Sequence, residues 1–194
     1  MINKIKYKLR YFLGFKTRES IFKILPKYSV CAELGVFRGD FSKLIIKHIK
    51  PKELHLVDVW ESLYGDFYPN WGVYTNFGNL KTKDAYNETL EKIKGANYKI
   101  HTGDDLEYLK SISNHYFDWV YIDSSHEYEH TFRELELLNQ KVKPFGIIAG
   151  HDWHTDESHP HYGVAKAVKE FCVNKNWKVI YNDNEMQWAI KKAE

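Results

Sequence analysis

From Tyr28 onward, short apolar runs rich in β-branched and aromatic residues alternate with stretches whose apolar positions recur every three or four residues. The first run, SVCAELG (29–35), reads as a strand, and Phe41, Leu44, Ile45 and His48 then fall on one face of a helix. Further strands are expected at 53–59 (ELHLVDV), at about 98–101, at 117–123 (FDWVYID) and at 146–152 (GIIAGHD). Helices are expected at about 82–94, from Asp104, at 128–142 and at 164–174. Two last runs, WKVIYN and MQWAIKK, are joined by a turn at Asp183-Asn184.

Strands that alternate with helices require crossovers, and therefore a parallel sheet covered on both faces. A closing pair joined by a short turn must be antiparallel. The expected fold is thus an α/β three-layer sandwich: a mostly parallel seven-stranded sheet ending in an antiparallel hairpin. Its 194 residues suit one domain, placed at 28–194. Residues 1–27 are expected to form a basic amphipathic helical extension, with Ile2, Ile5, Leu9, Phe12 and Leu13 on one face opposite Lys and Arg. Such a segment suits docking, a dimer contact or peripheral contact with an anionic membrane.

Charge and cysteine content narrow the classes. The formal net charge is +2, so no global basic field points to nucleic acid. Cys31 and Cys172 both lie in apolar patterns and read as buried free thiols, which fits a reducing, cytoplasmic compartment. No apolar run is long enough to span a bilayer, and the basic N-terminus lacks the continuous apolar stretch of a signal peptide.

Open α/β sheets bind ligands outside the carboxyl ends of their strands. The first strand ends in AELGVFRGDFS, where Gly35 and Gly39 allow a tight turn and close backbone approach, and Glu33 can meet a cation. The spacing is not GxGxxG, which disfavours a pyrophosphate cradle. Asp58 ends the second strand, where a carboxylate can accept both hydroxyls of a ribose. After the third strand, one of Asp104 and Asp105 can cap the next helix while the other accepts from an adenine amino group.

With ELGVFRG, Asp58, Gly103-Asp104, FDWVYIDSSHEYE and GIIAGHDW in this order, the chain resembles class I S-adenosylmethionine (SAM)-dependent methyltransferases with a Rossmann-like fold. It is most similar to the branch with Asp-x-x-His-x-Tyr after strand four and Gly-His-Asp after strand five. The resemblance covers about 30–190. It implies that the last strand inserts antiparallel between its neighbour and the rest of the sheet. It implies that Glu33, Gly35 and Gly39 line the methionine end of SAM, that Asp58 holds the ribose and that Asp104 lies near the adenine. Related sugar and polyketide O-methyltransferases hold a divalent metal on acids matching Asp123 and Asp152, which suggests Mg²⁺ or Mn²⁺ on Asp123, His151 and Asp152. His151 departs from those relatives, some of which carry an acid there.

Asp123, His126 and Asp152 are accordingly the candidate catalytic residues, with a metal-free general base as the alternative to a metal. His154, His159 and His161 are expected in a polar loop over the crevice, and His130 at the surface. The segment 60–80, with Trp60, Tyr64, Phe67, Tyr68, Trp71, Tyr74 and Phe77 among Gly and Asn, is expected to be an irregular lid or dimer-contact insert. The expected reaction is O-methylation of a sugar or other small hydroxylated acceptor, by a protein able to self-associate. Metal-dependent hydrolysis on the same Asp/His cluster, or SAM sensing without catalysis, are the rival classes.

Overall fold

The computed structural model describes residues 18–193. The expected N-terminal amphipathic helix falls mostly on 1–17, outside these residues. The chain folds into one seven-stranded sheet of order β3-β2-β1-β4-β5-β7-β6. Its strands are β1 (Val30–Leu34), β2 (Glu53–Asp58), β3 (Tyr98–Thr102), β4 (Phe117–Ile122), β5 (Val142–Gly150), β6 (Trp177–Asn182) and β7 (Trp188–Lys192). Strands β1 to β5 pair in parallel, and β7 inserts antiparallel between β5 and β6.

The sheet is two-sided because side chains alternate along each strand. On β4, Trp119 and Tyr121 enter one core, whereas Val120 and Ile122 enter the other. Helices α1 (Asp40–Ile49) and α3 (Thr82–Ile93) cover the first face. Helices α4 (Asp105–Ser111), α5 (Tyr128–Lys141) and α6 (Tyr162–Lys175) cover the second. A 3₁₀ segment, Arg18–Lys23, also joins the first face: Ile21, Phe22 and Leu25 are buried in its core. Both cysteines are buried and free, and burial pushes the Cys172 thiol up to about 11 and that of Cys31 further, so neither is an activated nucleophile.

Two expectations change. Strand β5 begins at Val142, directly after α5, and not at Gly146. Pro144 and the exposed Phe145 hid this stretch, where Val142 pairs with Phe117 across an irregular register. The insert is also more ordered than a bare loop. It contains α2 (Trp60–Tyr64) and a kinked 3₁₀ segment, Gly72–Gly78, and Phe67 bridges Lys81. Trp60 and Tyr68 are core residues, so only part of the aromatic set is available at the surface: Phe67, Trp71, Tyr74 and Phe77. Trp60 is drawn inward because its indole N–H finds the Phe37 carbonyl at 2.9 Å.

The level of the strand tips depends on Gly35. Its φ is +84°, and a Cβ there would lie 2.0 Å from the Asp123 carbonyl oxygen. Gly35→Ala should therefore destabilise the fold by about 2 kcal/mol or more. Gly95→Ala, at φ +83° with open space around it, should cost only about 1 kcal/mol for its backbone conformation. Urea unfolding of the two variants separates steric contact from backbone strain; equal losses would remove the contact from the account.

Candidate active site

The carboxyl ends of the first five strands form one continuous row. Gly103 N–H donates to the Asp58 carbonyl (2.9 Å), Gly35 N–H to that of Val57 (2.9 Å), Asp123 N–H to that of Leu34 (2.7 Å) and His151 N–H to that of Ile122 (3.0 Å). Glu33, Asp58, Asp123 and Asp152 therefore share one edge of the sheet.

Glu33 lies inside, with Ser42 Oγ donating to its Oε2 at 2.5 Å. Burial, reinforced by the nearby charges of Asp123 and Asp58 and opposed by Ser42 and Arg18, pushes its carboxyl up to about 8. Asp58 organises the first turn: Oδ2 accepts the amides of Val36 (2.7 Å) and Phe37 (2.6 Å), and Oδ1 accepts that of Trp60 (3.0 Å). Burial outweighs these backbone bonds and raises its pKa. Phe37 also touches the insert, packing edge-on against Tyr68. The buried Tyr68 hydroxyl has no hydrogen-bond partner among the described residues, and burial and the Asp58 charge raise its pKa.

Gly39 caps α1 in a left-handed conformation and packs against Thr89 of α3. Asp104 is the cap of α4, accepting the Glu107 amide at 2.9 Å. Asp105 is turned away to His130 (2.8 Å), so His130 is a half-buried link between α4 and α5 and not a surface residue.

At the β4 and β5 tips, Asp123, His126, His151 and Asp152 form a single cluster. His126 Nε2 lies 3.0 Å from Asp152 Oδ2 and 3.4 Å from Asp123 Oδ1. His151 Nδ1 lies 3.1 Å from Asp152 Oδ2 and 3.9 Å from Asp123 Oδ1. His126 and Asp152 both hold left-handed backbone conformations, φ +61° and +60°, each a local strain of order 1–3 kcal/mol that the surroundings must over-determine. Although burial opposes it, the bond to Asp123 and the charges of Asp152 and Asp123 raise the His126 pKa. Burial likewise works against ionising the two acids. The bond and charge from His126, the Arg18 charge and the His151 charge still lower Asp123, and His151 and His126 lower Asp152.

Arg18 escaped the sequence reading. Its Nη2 donates to Asp123 Oδ2 at 2.7 Å, and its guanidinium lies 4.6 Å over the Phe41 ring. Only its place at the boundary of the N-terminal segment could have drawn attention to it. Tyr68 was seen in the insert but not as a neighbour of Asp58. The loop after β5 proves to belong to the cluster, since His161 Nδ1 lies 2.9 Å from Asp152 Oδ1 and His154 Nε2 lies 3.6 Å from it.

Residues 32–153, more than half of the chain, match a family described as a methyltransferase domain. The chain belongs to the methyltransferase-domain family. At the level of a methyltransferase domain, the expectation drawn from the strand-tip motifs holds. No curated protein sequence matches the chain. Among solved structures it is similar to a SAM-dependent methyltransferase from Aquifex aeolicus (16% identity, TM-score 0.57, covering 86% of this chain and 82% of that one). It is also similar to an rRNA methylase from Streptococcus thermophilus (11%, TM-score 0.56, 90% and 92%). A third similar structure is the O-methyltransferase TomG of tomaymycin synthesis from Streptomyces achromogenes, solved with SAM (17%, TM-score 0.54, 86% and 74%). At these identities the likeness concerns the fold, and the differing acceptors of the last two show that the fold does not choose the acceptor.

Glu33 gives the methyltransferase a pH signature. Between the ordinary 4.5 and the raised value of about 8, the folded state keeps a proton that the unfolded chain has released. The stability from this group is full below that window and is lost as pH rises through about 8. Thermal unfolding without ligand should show wild type losing on the order of 2–4 kcal/mol relative to Glu33→Gln across the window. Parallel stability curves for the two proteins would contradict the buried, protonated carboxyl.

Proposed function

We propose that this methyltransferase transfers the methyl group of SAM to a hydroxyl of a small acceptor, a sugar or a similarly hydroxylated molecule. The observation that carries the reading is the placement of an imidazole–carboxylate cluster, His126 between Asp123 and Asp152, on the same sheet edge as Glu33 and Asp58. Under this reading Glu33, Gly35 and Gly39 border the methionine end of SAM. A sulfonium or ammonium beside Glu33 favours its ionised form, so cofactor binding releases a proton. Asp58 takes the ribose: its Oδ1 accepts the Trp60 amide and has lone-pair capacity for a hydroxyl. The unpartnered Tyr68 hydroxyl fits a polar ligand beside it. Asp104, fixed as a cap and exposed, borders the adenine.

The transfer is an in-line displacement. An acceptor oxygen forms a bond to the methyl carbon as the carbon–sulfur bond breaks, leaving S-adenosylhomocysteine, and the hydroxyl proton goes to the protein. His126 is the proton acceptor, strengthened by two carboxylates and held by Asp152. Exposed aromatics of the insert, Trp71 and Tyr74 among them, supply apolar walls for the acceptor.

The Mg²⁺ or Mn²⁺ implied by the resemblance fits this donor set poorly. Asp123, His151 and Asp152 bring ligand atoms within 4.8 Å of one another. However, Arg18 already places a cation on Asp123, and hard ions favour oxygen donors over imidazole.

Asp152→Asn should keep S-adenosylhomocysteine binding and lower turnover by about 10²-fold or more. Asp58→Asn, which spares the loop amides one acceptor, should weaken that binding by at least about tenfold while the protein stays folded. Calorimetry and release of S-adenosylhomocysteine with a panel of sugar acceptors measure both; full activity in Asp152→Asn would remove it from the mechanism. With a competent acceptor, kcat/KM should rise with pH through an apparent pKa above the 6.5 of an ordinary imidazole, because His126 must be neutral to accept the proton. A flat profile between about pH 6 and 9 would exclude it as the base.

A further inference from the structure

Around Asp152, the loop between β5 and α6 gathers three imidazoles that the proposed transfer does not use; one of them, His161, stacks on His126 with centroids 4.7 Å apart. His154, His159 and His161 each present a ring nitrogen within 4.8 Å of the other two. The loop is bound to itself. His154 N–H donates to the Asp152 carbonyl (2.8 Å), His159 N–H to that of Asp156 (3.0 Å) and Tyr162 N–H to that of His159 (2.9 Å). The rings are correspondingly close: His154 and His159 stack with centroids 3.4 Å apart, and His161 stands nearly perpendicular to His159 at 5.4 Å.

Asp152 orients one of the three by a hydrogen bond and lies near a second. Its Oδ1 lies 2.9 Å from His161 Nδ1 and 3.6 Å from His154 Nε2. A carboxylate that takes the N–H of one ring nitrogen leaves the lone pair of the other facing outward. This is the outer-shell arrangement that makes an imidazole a better metal ligand.

We infer that His154, His159 and His161 form a binding site for a late first-row divalent cation such as Zn²⁺, with other ligands than the Asp123/His151/Asp152 group and with Asp152 as its neighbouring carboxylate. The donor set decides the class: three imidazoles, one of them backed by the Asp152 carboxylate, suit Zn²⁺, Co²⁺ or Ni²⁺ and not Mg²⁺. Bonds of about 2.0–2.1 Å require the nitrogens to close to roughly 3.3–3.5 Å. His159 is the ring that moves. Its Nδ1 now accepts the His161 amide at 3.1 Å, and metal entry turns it out of its stack on His154. The site stands on its own geometry and does not require the methyl-transfer reading.

The test is competitive Zn²⁺ titration of the chelator-treated full chain, with Co²⁺ absorption as a second readout of ligand geometry. Wild type should take up one equivalent. His159→Ala and His154→Gln should each weaken binding by at least about tenfold, with unchanged thermal unfolding in the absence of metal, whereas Asp123→Asn should retain the wild-type affinity. Absence of a stoichiometric site in wild type would overturn the inference. Loss of binding in Asp123→Asn with retention in the two histidine variants would also overturn it, by assigning the ion to the other cluster. Binding of S-adenosylhomocysteine, measured on the same samples, reports separately on the methyltransferase reading.

Discussion

The close approach of Gly35 to the Asp123 carbonyl is the contact on which the rest of the site depends. It lets β1 and β4 end level, with the Asp123 amide on the Leu34 carbonyl at 2.7 Å. The turn after β1 can then bend back under Asp58, and His151 can follow Ile122 on the neighbouring strand. A side chain at this glycine would separate the two halves of the edge: the acids of β1 and β2 from the cluster of β4 and β5. Parallel topology alone puts the strand ends on one side of the sheet. The missing Cβ lets the two halves meet on one level edge.

Four acids crowd that edge. Glu33, Asp58, Asp123 and Asp152 are brought together at a cost in desolvation and mutual repulsion, and the protein meets this cost differently at each. Glu33 keeps a proton, Asp58 takes three backbone amides, Asp123 takes Arg18, and Asp152 takes histidines. A ligand carrying positive charge relieves the first of these directly. The same logic explains why the β4–β5 end is rich in imidazole. A histidine between two carboxylates is both their counter-charge and, once neutral, a base.

Much of this was legible in the sequence because the period of the apolar pattern switches cleanly between strand and helix, and because the chemistry sits at strand ends. β6 was read residue for residue, and β1, β2 and β4 within a residue or so, and the resemblance anticipated the inserted β7. The start of β5 was hidden by Pro144 and Gly146, which are poor strand formers that an irregular register accommodates. The burial of Trp60 and Tyr68 was hidden because it depends on a distant carbonyl at Phe37 and on the ring packing around it. Arg18 and the His154–His159–His161 group were illegible as contacts for a related reason. Their partners lie across the fold or within a loop whose path no periodicity encodes.

The most direct measurement is a crystal structure of the full chain with S-adenosylhomocysteine. The account predicts ribose hydroxyls within hydrogen-bonding distance of Asp58, the amino-acid end beside Glu33, and the sulfur facing the His126–Asp152 pair. A ligand bound elsewhere, or one whose sulfur points away from that pair, would contradict it.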